Sequence, residues 1–270
     1  MVTFPNCKIN LGLNIVGKRN DGYHDLETVF YPLQIKDAVE VIEDESFHFS
    51  LSGLTFDGES ENNLCVKAYQ LLKKDFPSLA TIKMHLHKAI PIGAGLGGGS
   101  ADGAFTLKLL NKKFNLGLSE EQLIKYSLLL GSDCPFFIIN KPCFATGRGE
   151  ILEMIDLDLS NYKLLVVNPG IHINTAWAFS NIKPLTPKIS VKEIIQQPIG
   201  RWKDELKNDF EEPAFEKHPE IKKIKEEMYN AGAIYSSMSG SGSSVFGIFE
   251  KKKELNLSYP ESYFVRELVG

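Results

Sequence analysis

The sequence lacks an excess of positive charge and a long apolar run. It contains 30 Lys and Arg against 34 Asp and Glu, a formal net charge of −4, so nothing in its composition favours non-specific binding to nucleic acid. No apolar stretch approaches the ~18 residues of a membrane span. The first residues, "MVTFPNCKINLGLNIVG", place no basic region before such a stretch. We therefore expect a cytoplasmic protein with neither a nucleic acid nor a membrane as partner.

Cysteine is scarce and is not arranged in pairs. The four cysteines show no CxxC spacing, which favours reduced thiols over disulfides or a zinc site; they are Cys7, Cys65, Cys134 and Cys143. The 270 residues, 43% of them hydrophobic, suit one large domain or two moderate domains. A change in composition near residues 156–161 predicts two domains, 1–156 and 157–270.

Hydrophobic periodicity predicts a mixed fold in which strands and helices alternate. Residues 7–16 alternate strictly, with Lys8, Asn10, Gly12 and Asn14 on the polar face. Ser119 and Gln122 form a capping-box pattern at the start of a helix that stops at Gly131. Further strands are predicted at 24–33, 81–88, 162–170 and within 233–249, and further helices at 63–75 and 219–231.

The stretch "PIGAGLGGGSADGAFTL", residues 91–107, contains six glycines between a predicted strand and a predicted helix. Such a turn aims unpaired backbone N–H groups and the positive end of a helix dipole at one point, which is typical of a phosphate site. We expect Ser100 to cap the helix and Ala101, Phe105 and Leu109 to share one of its faces. A tight turn alone would need only about two glycines.

Two familiar nucleotide motifs fit this stretch poorly. No Gly-Lys-Ser/Thr occurs, which excludes a Walker A loop. Gly93, Gly95 and Gly98 satisfy G-x-G-x-x-G, but the acidic residue expected ~20 residues later would fall in a loop and the next helix, not at a strand end.

His85 and His87 share a strand face without a third ligand nearby, so we interpret them as exposed residues and not as metal ligands.

Three motifs resemble those of the GHMP kinases. "PIGAGLGGGSADGAF" is similar to the phosphate-binding motif of that family, "KINLGLNI" to its first motif, and "SSMSGSGSSVFGIF" at 236–249 to its third. The stretches "PNCKINLGLNIVGKRNDGYHDLETVFYPL", "GSDCPFFI", "FATGRGEIL" and "NDFEE" resemble the members that act on a cytidine-diphosphate derivative of methylerythritol, on the non-mevalonate route to isoprenoid precursors.

The resemblance implies a two-domain α/β (α+β) fold with the active site in the cleft between the domains. It also implies ATP and Mg²⁺, transfer of the γ-phosphoryl group to a hydroxyl of a small-molecule substrate, and a monomer or weak homodimer. Asn63 and Lys88 are candidate ATP contacts by position. The phosphate cradle itself would comprise Pro91, Ile92, Gly93, Ala94, Gly95, Leu96, Gly97, Gly98, Gly99, Ser100 and Ala101.

The same resemblance assigns Lys8 and Asp133 as a catalytic pair. Phosphoryl transfer needs a group that orients or deprotonates the attacking hydroxyl, and Asp133 would be that base. From the residues alone, Asp133 can also be interpreted as a turn-forming aspartate between Gly131 and Pro135. Lys8 can also be interpreted as a solvated lysine on a strand edge.

Substrate recognition is assigned by resemblance to two sets of residues. Tyr23 and His24, with Phe179 as the opposing aromatic, would hold the cytosine, although Tyr23 and Phe179 also fit ordinary packing. The rest of the pocket would be lined by Asn10, Tyr31 and Thr175.

Two alternatives stay open at the level of the sequence. One is a GHMP kinase for homoserine or a mevalonate-type acid, against which the Tyr23–His24 pair argues because those substrates carry no base. The other is a nucleotide-binding protein without transfer activity, against which the presence of both Lys8 and Asp133 argues.

Overall fold

The computed structural model describes residues 1–54 and 62–269 and has the mixed α/β architecture predicted from the sequence. Its strands are β1 (Val2–Thr3), β2 (Asn6–Lys18), β3 (His24–Lys36), β4 (Ala38–Glu43), β5 (His48–Gly53), β6 (Ile82–Lys88), β7 (Cys143–Thr146), β8 (Ile151–Met154), β9 (Tyr162–Asn168), β10 (Tyr235–Met238), β11 (Val245–Glu250) and β12 (Phe264–Val269). Its helices are α1 (Leu64–Asp75), α2 (Gly98–Lys113), α3 (Glu120–Leu130), α4 (Cys134–Ile139), α5 (Thr175–Ser180), α6 (Val191–Ile195), α7 (Trp202–Glu205), α8 (Glu211–Lys217) and α9 (Pro219–Asn230).

The first compact unit comprises Met1–Cys7, Pro32–Ile92 and Gly97–Lys141. Its sheet has the order β1-β4-β6-β5, with β5 parallel and β4 antiparallel to β6. Strand β6 buries every second residue, Ile82, Met84 and Leu86 among them, as the alternation predicted. Helix α2 passes close to α1 and α3, because a Cβ on Gly103 would lie 2.9 Å from the Leu64 side chain and 3.2 Å from that of Leu130.

The second compact unit comprises Lys8–Tyr31, Gly93–Leu96 and the chain from Pro142 onward. One sheet has the antiparallel order β10-β11-β9-β12, and the other has the order β2-β3-β7-β8. Helix α9 buries Ile221, Ile224 and Met228 in a core shared with strand residues such as Ile15 and Val167. This spacing is that of an amphipathic helix.

The two units interleave along the chain, because residues 8–31 and 93–96 belong to the second unit. The division into domains 1–156 and 157–270 therefore stays a prediction. The predicted start and end of α3 are confirmed: the capping box of Ser119 and Gln122 is present and α3 ends at Leu130. The strand and helix expectations at 7–16, 63–75, 81–88 and 219–231 are confirmed to within a few residues.

Candidate active site

Helix α2 begins without a side-chain cap. Its N-cap is Gly97, which has φ +70° and offers no side-chain hydrogen bond, so the prediction that Ser100 caps the helix is wrong. Ser100 instead lies within the first turn. The first N–H groups of a helix have no partner inside it, and the first turn of α2 contains no acidic residue. The helix start is therefore suited to an anion.

The glycines of this stretch meet several separate requirements. Gly93, Gly95 and Gly97 have positive φ values of 64°, 78° and 70°, which favour glycine. A Cβ on Gly95 would lie 2.0 Å from the Ser239 carbonyl oxygen, whereas one on Gly99 would meet nothing within 4 Å. Several glycines of this stretch are thus required by the protein's own backbone conformation and packing. Gly99 is the position at which an approaching ligand best explains the missing side chain.

The polar face of β2 is buried. Lys8 is 3% exposed and Asn10 is 2% exposed, so the alternative of a solvated Lys8 is wrong. The Lys8 ammonium donates a hydrogen bond of 2.5 Å to Asn10 Oδ1 and lies 3.4 Å from the Gly95 carbonyl oxygen. It also lies 5.0 Å from the centroid of the Phe30 ring. A buried ammonium held by several acceptors has a fixed position.

The three glycine-containing motifs meet at Ser239 in the second unit. The Ser239 hydroxyl donates to the Gly95 carbonyl oxygen at 2.8 Å and accepts from the Asn10 N–H at 3.2 Å. Residues 10, 95 and 239 belong to the first, second and third motifs respectively. One buried hydroxyl thus joins strand β2, the glycine stretch and the turn between β10 and β11.

Asp133 lies in the first unit, at the N-cap of α4. It is half-buried, and its side chain makes no capping hydrogen bond to the helix. The turn before Pro135 predicted from Gly131-Ser132-Asp133 is present. The catalytic role of Asp133 stays a prediction.

Lys88 is buried between two carboxylates. Its ammonium is ion-paired with Asp37 and, at 2.7 Å, with Asp102. Asp37 also accepts the N–H groups of Ala89 and Ile90. Burial raises the pKa of Asp102 to about 8, against the opposing effect of Lys88. Burial lowers the pKa of Lys88, but the two carboxylates outweigh it and the net direction is upward. Lys88 is thus part of the interior of the first unit, and its predicted contact with ATP stays a prediction.

Asn63, the other ATP candidate by position, is the N-cap of α1. Its side chain accepts the Cys65 N–H at 2.9 Å. The amide group of Asn63 keeps its nitrogen available as a donor while its oxygen caps the helix.

The aromatic residues predicted to hold a base lie at two places in the second unit. The rings of His24 and Phe179 stack directly, with centroids 4.9 Å apart and planes at 17°. His24 therefore covers one face of the Phe179 ring, and the role of Tyr23 and His24 in holding a cytosine, with Phe179 as the opposing aromatic, stays a prediction. Tyr23 is exposed, and the Arg148 guanidinium lies 4.9 Å from its ring centroid. A base would have to stack on an outer ring face or separate the two rings.

The remaining pocket candidates differ in their partners. The Tyr31 hydroxyl accepts the Leu159 N–H at 3.2 Å, and burial raises the pKa of Tyr31. Thr175 is the first residue of α5, with its hydroxyl 3.4 Å from that of Ser241. Sequence reasoning missed Asp37, Asp102, Thr28 and Ser239, which hold the predicted residues in place. Thr28, Asp102 and Ser239 lie inside the quoted motifs and stretches, which was the one signal available for them, whereas Asp37 lies outside all of these.

The other sequence predictions concern histidines and cysteines. His85 and His87 bond to Ser52 on the outer face of their sheet, and across residues 1–54 and 62–269 no group of three or more His, Cys, Asp or Glu could hold a metal ion. All four cysteines are buried thiols that form no disulfide within the part of the chain that the structure describes. Burial raises the pKa of Cys134 to about 12 and that of Cys143 to about 11. Within the described ranges, no helix has the length and apolar character to cross a membrane.

Comparison with known proteins agrees with the motifs. A model of the GHMP kinases N terminal domain matches residues 63–141, and one of the GHMP kinases C terminal domain matches residues 190–257. A protein of Bacteroides fragilis named 4-diphosphocytidyl-2-C-methyl-D-erythritol kinase is 54% identical over 259 residues, which cover 94% of each chain. The chain belongs to the GHMP kinase family.

Solved structures extend this assignment of the GHMP kinase fold. A crystal structure of 4-(cytidine 5'-diphospho)-2C-methyl-D-erythritol kinase matches with a TM-score of 0.79 at 31% identity, covering 92% of this chain and 90% of that one. A homoserine kinase from Cytophaga hutchinsonii matches with a TM-score of 0.66 at 14% identity, covering 97% and 94%. The second likeness shows the fold alone. As a GHMP kinase, the chain uses ATP.

Proposed function

We propose that this GHMP kinase transfers the γ-phosphoryl group of ATP to the 2-hydroxyl of 4-diphosphocytidyl-2-C-methyl-D-erythritol. This reaction belongs to the methylerythritol phosphate route to isoprenoid precursors. The observation that carries the proposal is the 54% identity to a kinase of that name over 94% of both chains.

The start of α2 would bind the ATP phosphates. Its first turn offers unpartnered N–H groups and the positive end of the helix dipole, and it contains no opposing carboxylate. Mg²⁺ would be bound chiefly through the nucleotide phosphates and water, as is usual for this ion. It would neutralise charge that develops on the phosphoryl oxygens during transfer.

Lys8 and Asp133 would carry the chemistry on the acceptor side. Asp133 would accept the proton of the attacking hydroxyl. Lys8 would place a positive charge beside the forming bond, since its ammonium is held by Asn10 and Gly95. Because Asp133 and Lys8 would act as one unit, the loss of activity in the double variant should be far less than the product of the two single losses.

The cytidine end would be recognised by aromatic stacking. His24 and Phe179 form a stacked pair, and Tyr23 presents a largely exposed ring beside Arg148. Each stacked base typically contributes ~1–3 kcal/mol. Asn10, Tyr31 and Thr175 would provide polar contacts to the rest of the substrate.

The decisive experiment is a coupled assay of ADP release with three acceptors. The purified chain is given ATP, Mg²⁺ and either 4-diphosphocytidyl-2-C-methyl-D-erythritol, homoserine or mevalonate, and Asp133→Asn serves as the control for contaminating kinases. We expect turnover with the cytidine compound alone and its loss in the variant. Faster turnover with homoserine or mevalonate would overturn the proposal.

A further inference from the structure

One acceptor that holds the Lys8 ammonium is the side-chain amide of Asn10, which a further residue must orient. The Lys8 ammonium donates to Asn10 Oδ1 at 2.5 Å. An amide is close to symmetric in shape, and its rotation by half a turn would present the NH₂ group to the ammonium. The group that fixes the orientation of the Asn10 amide therefore also fixes the position of this acceptor for Lys8.

Thr28 on strand β3 contacts the other side of that amide. Asn10 Nδ2 donates to Thr28 Oγ1 at 3.0 Å, and Thr28 Oγ1 donates its single proton to the Gly12 carbonyl oxygen. Thr28 is fully buried, so water cannot replace either partner. All four residues of this chain of hydrogen bonds, from Gly12 to Lys8, lie in the second unit.

The direction of the chain leaves one arrangement. Because the Thr28 proton is used by Gly12, Thr28 Oγ1 can only accept from Asn10. A rotated amide would set oxygen against oxygen at Thr28 and donor against donor at Lys8, and both contacts are unfavourable in a buried site. We propose that Thr28 is a positioning residue for phosphoryl transfer: it orients the Asn10 amide and thereby holds the Lys8 ammonium in its working position.

This inference rests on the proposed function, since it takes Lys8 to act in transfer. The test variant is Thr28→Val, which keeps the shape of the side chain and removes the hydroxyl. We expect kcat to fall about tenfold, the usual effect of losing one hydrogen bond, while the KM for ATP changes less than about twofold. Thr28→Ser keeps the hydroxyl and should retain kcat within about threefold of the wild-type value.

A matched control tests the loss of a buried threonine hydroxyl as such. Thr106 is also fully buried and donates to a backbone carbonyl oxygen, that of Asp102 at 2.7 Å, but it lies in α2 of the first unit. Thr106→Val should leave kcat close to wild type. Melting temperatures of the three variants, measured alongside, show which proteins remain folded at the assay temperature.

The outcomes separate this inference from the proposed function. Wild-type protein that does not phosphorylate the cytidine substrate contradicts the function itself. Active wild-type protein with an unchanged kcat in folded Thr28→Val overturns the positioning role. Equal losses in Thr28→Val and Thr28→Ser, or in Thr28→Val and Thr106→Val, also overturn it, because packing and not the hydroxyl would then be responsible.

Discussion

Two buried lysines of this chain differ in what surrounds their charge. Lys88, in the first unit, is ion-paired with the carboxylates of Asp37 and Asp102. Lys8, in the second unit, contacts the neutral oxygens of Asn10 and Gly95. A lysine between two carboxylates has its charge compensated inside the protein, whereas amide and carbonyl oxygens orient an ammonium without neutralising it. From the partners described, we expect Lys88 to act chiefly in stability and, as proposed above, Lys8 to act in phosphoryl transfer.

The largest expected effect is that of Lys8→Met on turnover. Methionine has a similar length but no charge, so the stabilisation of the transition state is lost. We expect kcat to fall by about 10²–10⁴, as for removal of a catalytic acid, base or charge, with little change in the KM for ATP. The unfolding free energy should drop by about 1–3 kcal/mol, because acceptors such as Asn10 Oδ1 are left unsatisfied. Steady-state kinetics and urea unfolding measure both quantities, and a kcat near wild type would remove Lys8 from the mechanism.

Lys88→Met should produce the opposite pattern. Removing the ammonium leaves the buried carboxyl groups of Asp37 and Asp102 facing each other without a cation, which costs about 3–5 kcal/mol of unfolding free energy. The kcat of the fraction that remains folded should stay within a fewfold of wild type. Urea unfolding and kinetics at low temperature test this. A folded Lys88→Met variant with a greatly raised KM for ATP would show that Lys88 binds the nucleotide and would erase the contrast with Lys8.

The sequence predicts the elements around both lysines but not their surroundings. Alternation places Lys8 on the polar face of β2 and Lys88 at the end of β6, and both placements are confirmed. Alternation does not reveal what covers a polar face, so the burial of Lys8 could not be foreseen. The partners of Lys88 lie 51 and 14 residues away, and a single sequence carries no signal for such pairing.

Local rules also failed where two of them compete. A serine near the start of α2 suggested a side-chain cap, but the chain needs a left-handed residue there and Gly97 occupies the N-cap with φ +70°. The stacking of His24 on Phe179 was likewise not predicted, because residue type does not reveal which rings contact each other.

The pH dependence of the unfolding free energy tests the charge state of Asp102, the carboxyl group beside Lys88. Burial raises the pKa of Asp102 from 3.8 to about 8. Between these values the folded chain holds one proton more than the unfolded chain, so this group's contribution is complete below about pH 4 and is lost as the pH rises toward 8. The slope is at most about 1.4 kcal/mol per pH unit. Asp102→Asn cannot ionise and should lack this slope, so its stability relative to wild type should increase from pH 5 to pH 8.

Urea unfolding of both proteins at pH 5, 6.5 and 8 measures that difference. Parallel stability curves would mean that Asp102 keeps an ordinary pKa and is ionised throughout this range. A negative charge on Asp102 would make the loss of stability in Lys88→Met larger.

The smallest expected effects on stability concern Gly98 and Gly99, the first two residues of α2. A Cβ on Gly98 would lie 2.9 Å from Ile90 Cγ2 and 3.3 Å from Lys88 Nζ, whereas one on Gly99 would meet nothing within 4 Å. Gly98→Ala should therefore destabilise the chain by about 1–3 kcal/mol through overpacking. Gly99→Ala should stabilise it by about 0.4–1 kcal/mol, since the unfolded chain loses freedom at a helical position.

If phosphate oxygens approach Gly99, the same alanine should raise the KM for ATP severalfold while kcat changes little. Thermal melting and ATP titration of the two variants test both parts. An unchanged KM in a stabilised Gly99→Ala would show that phosphate does not contact this first turn, and it would leave the glycines explained by backbone and packing alone.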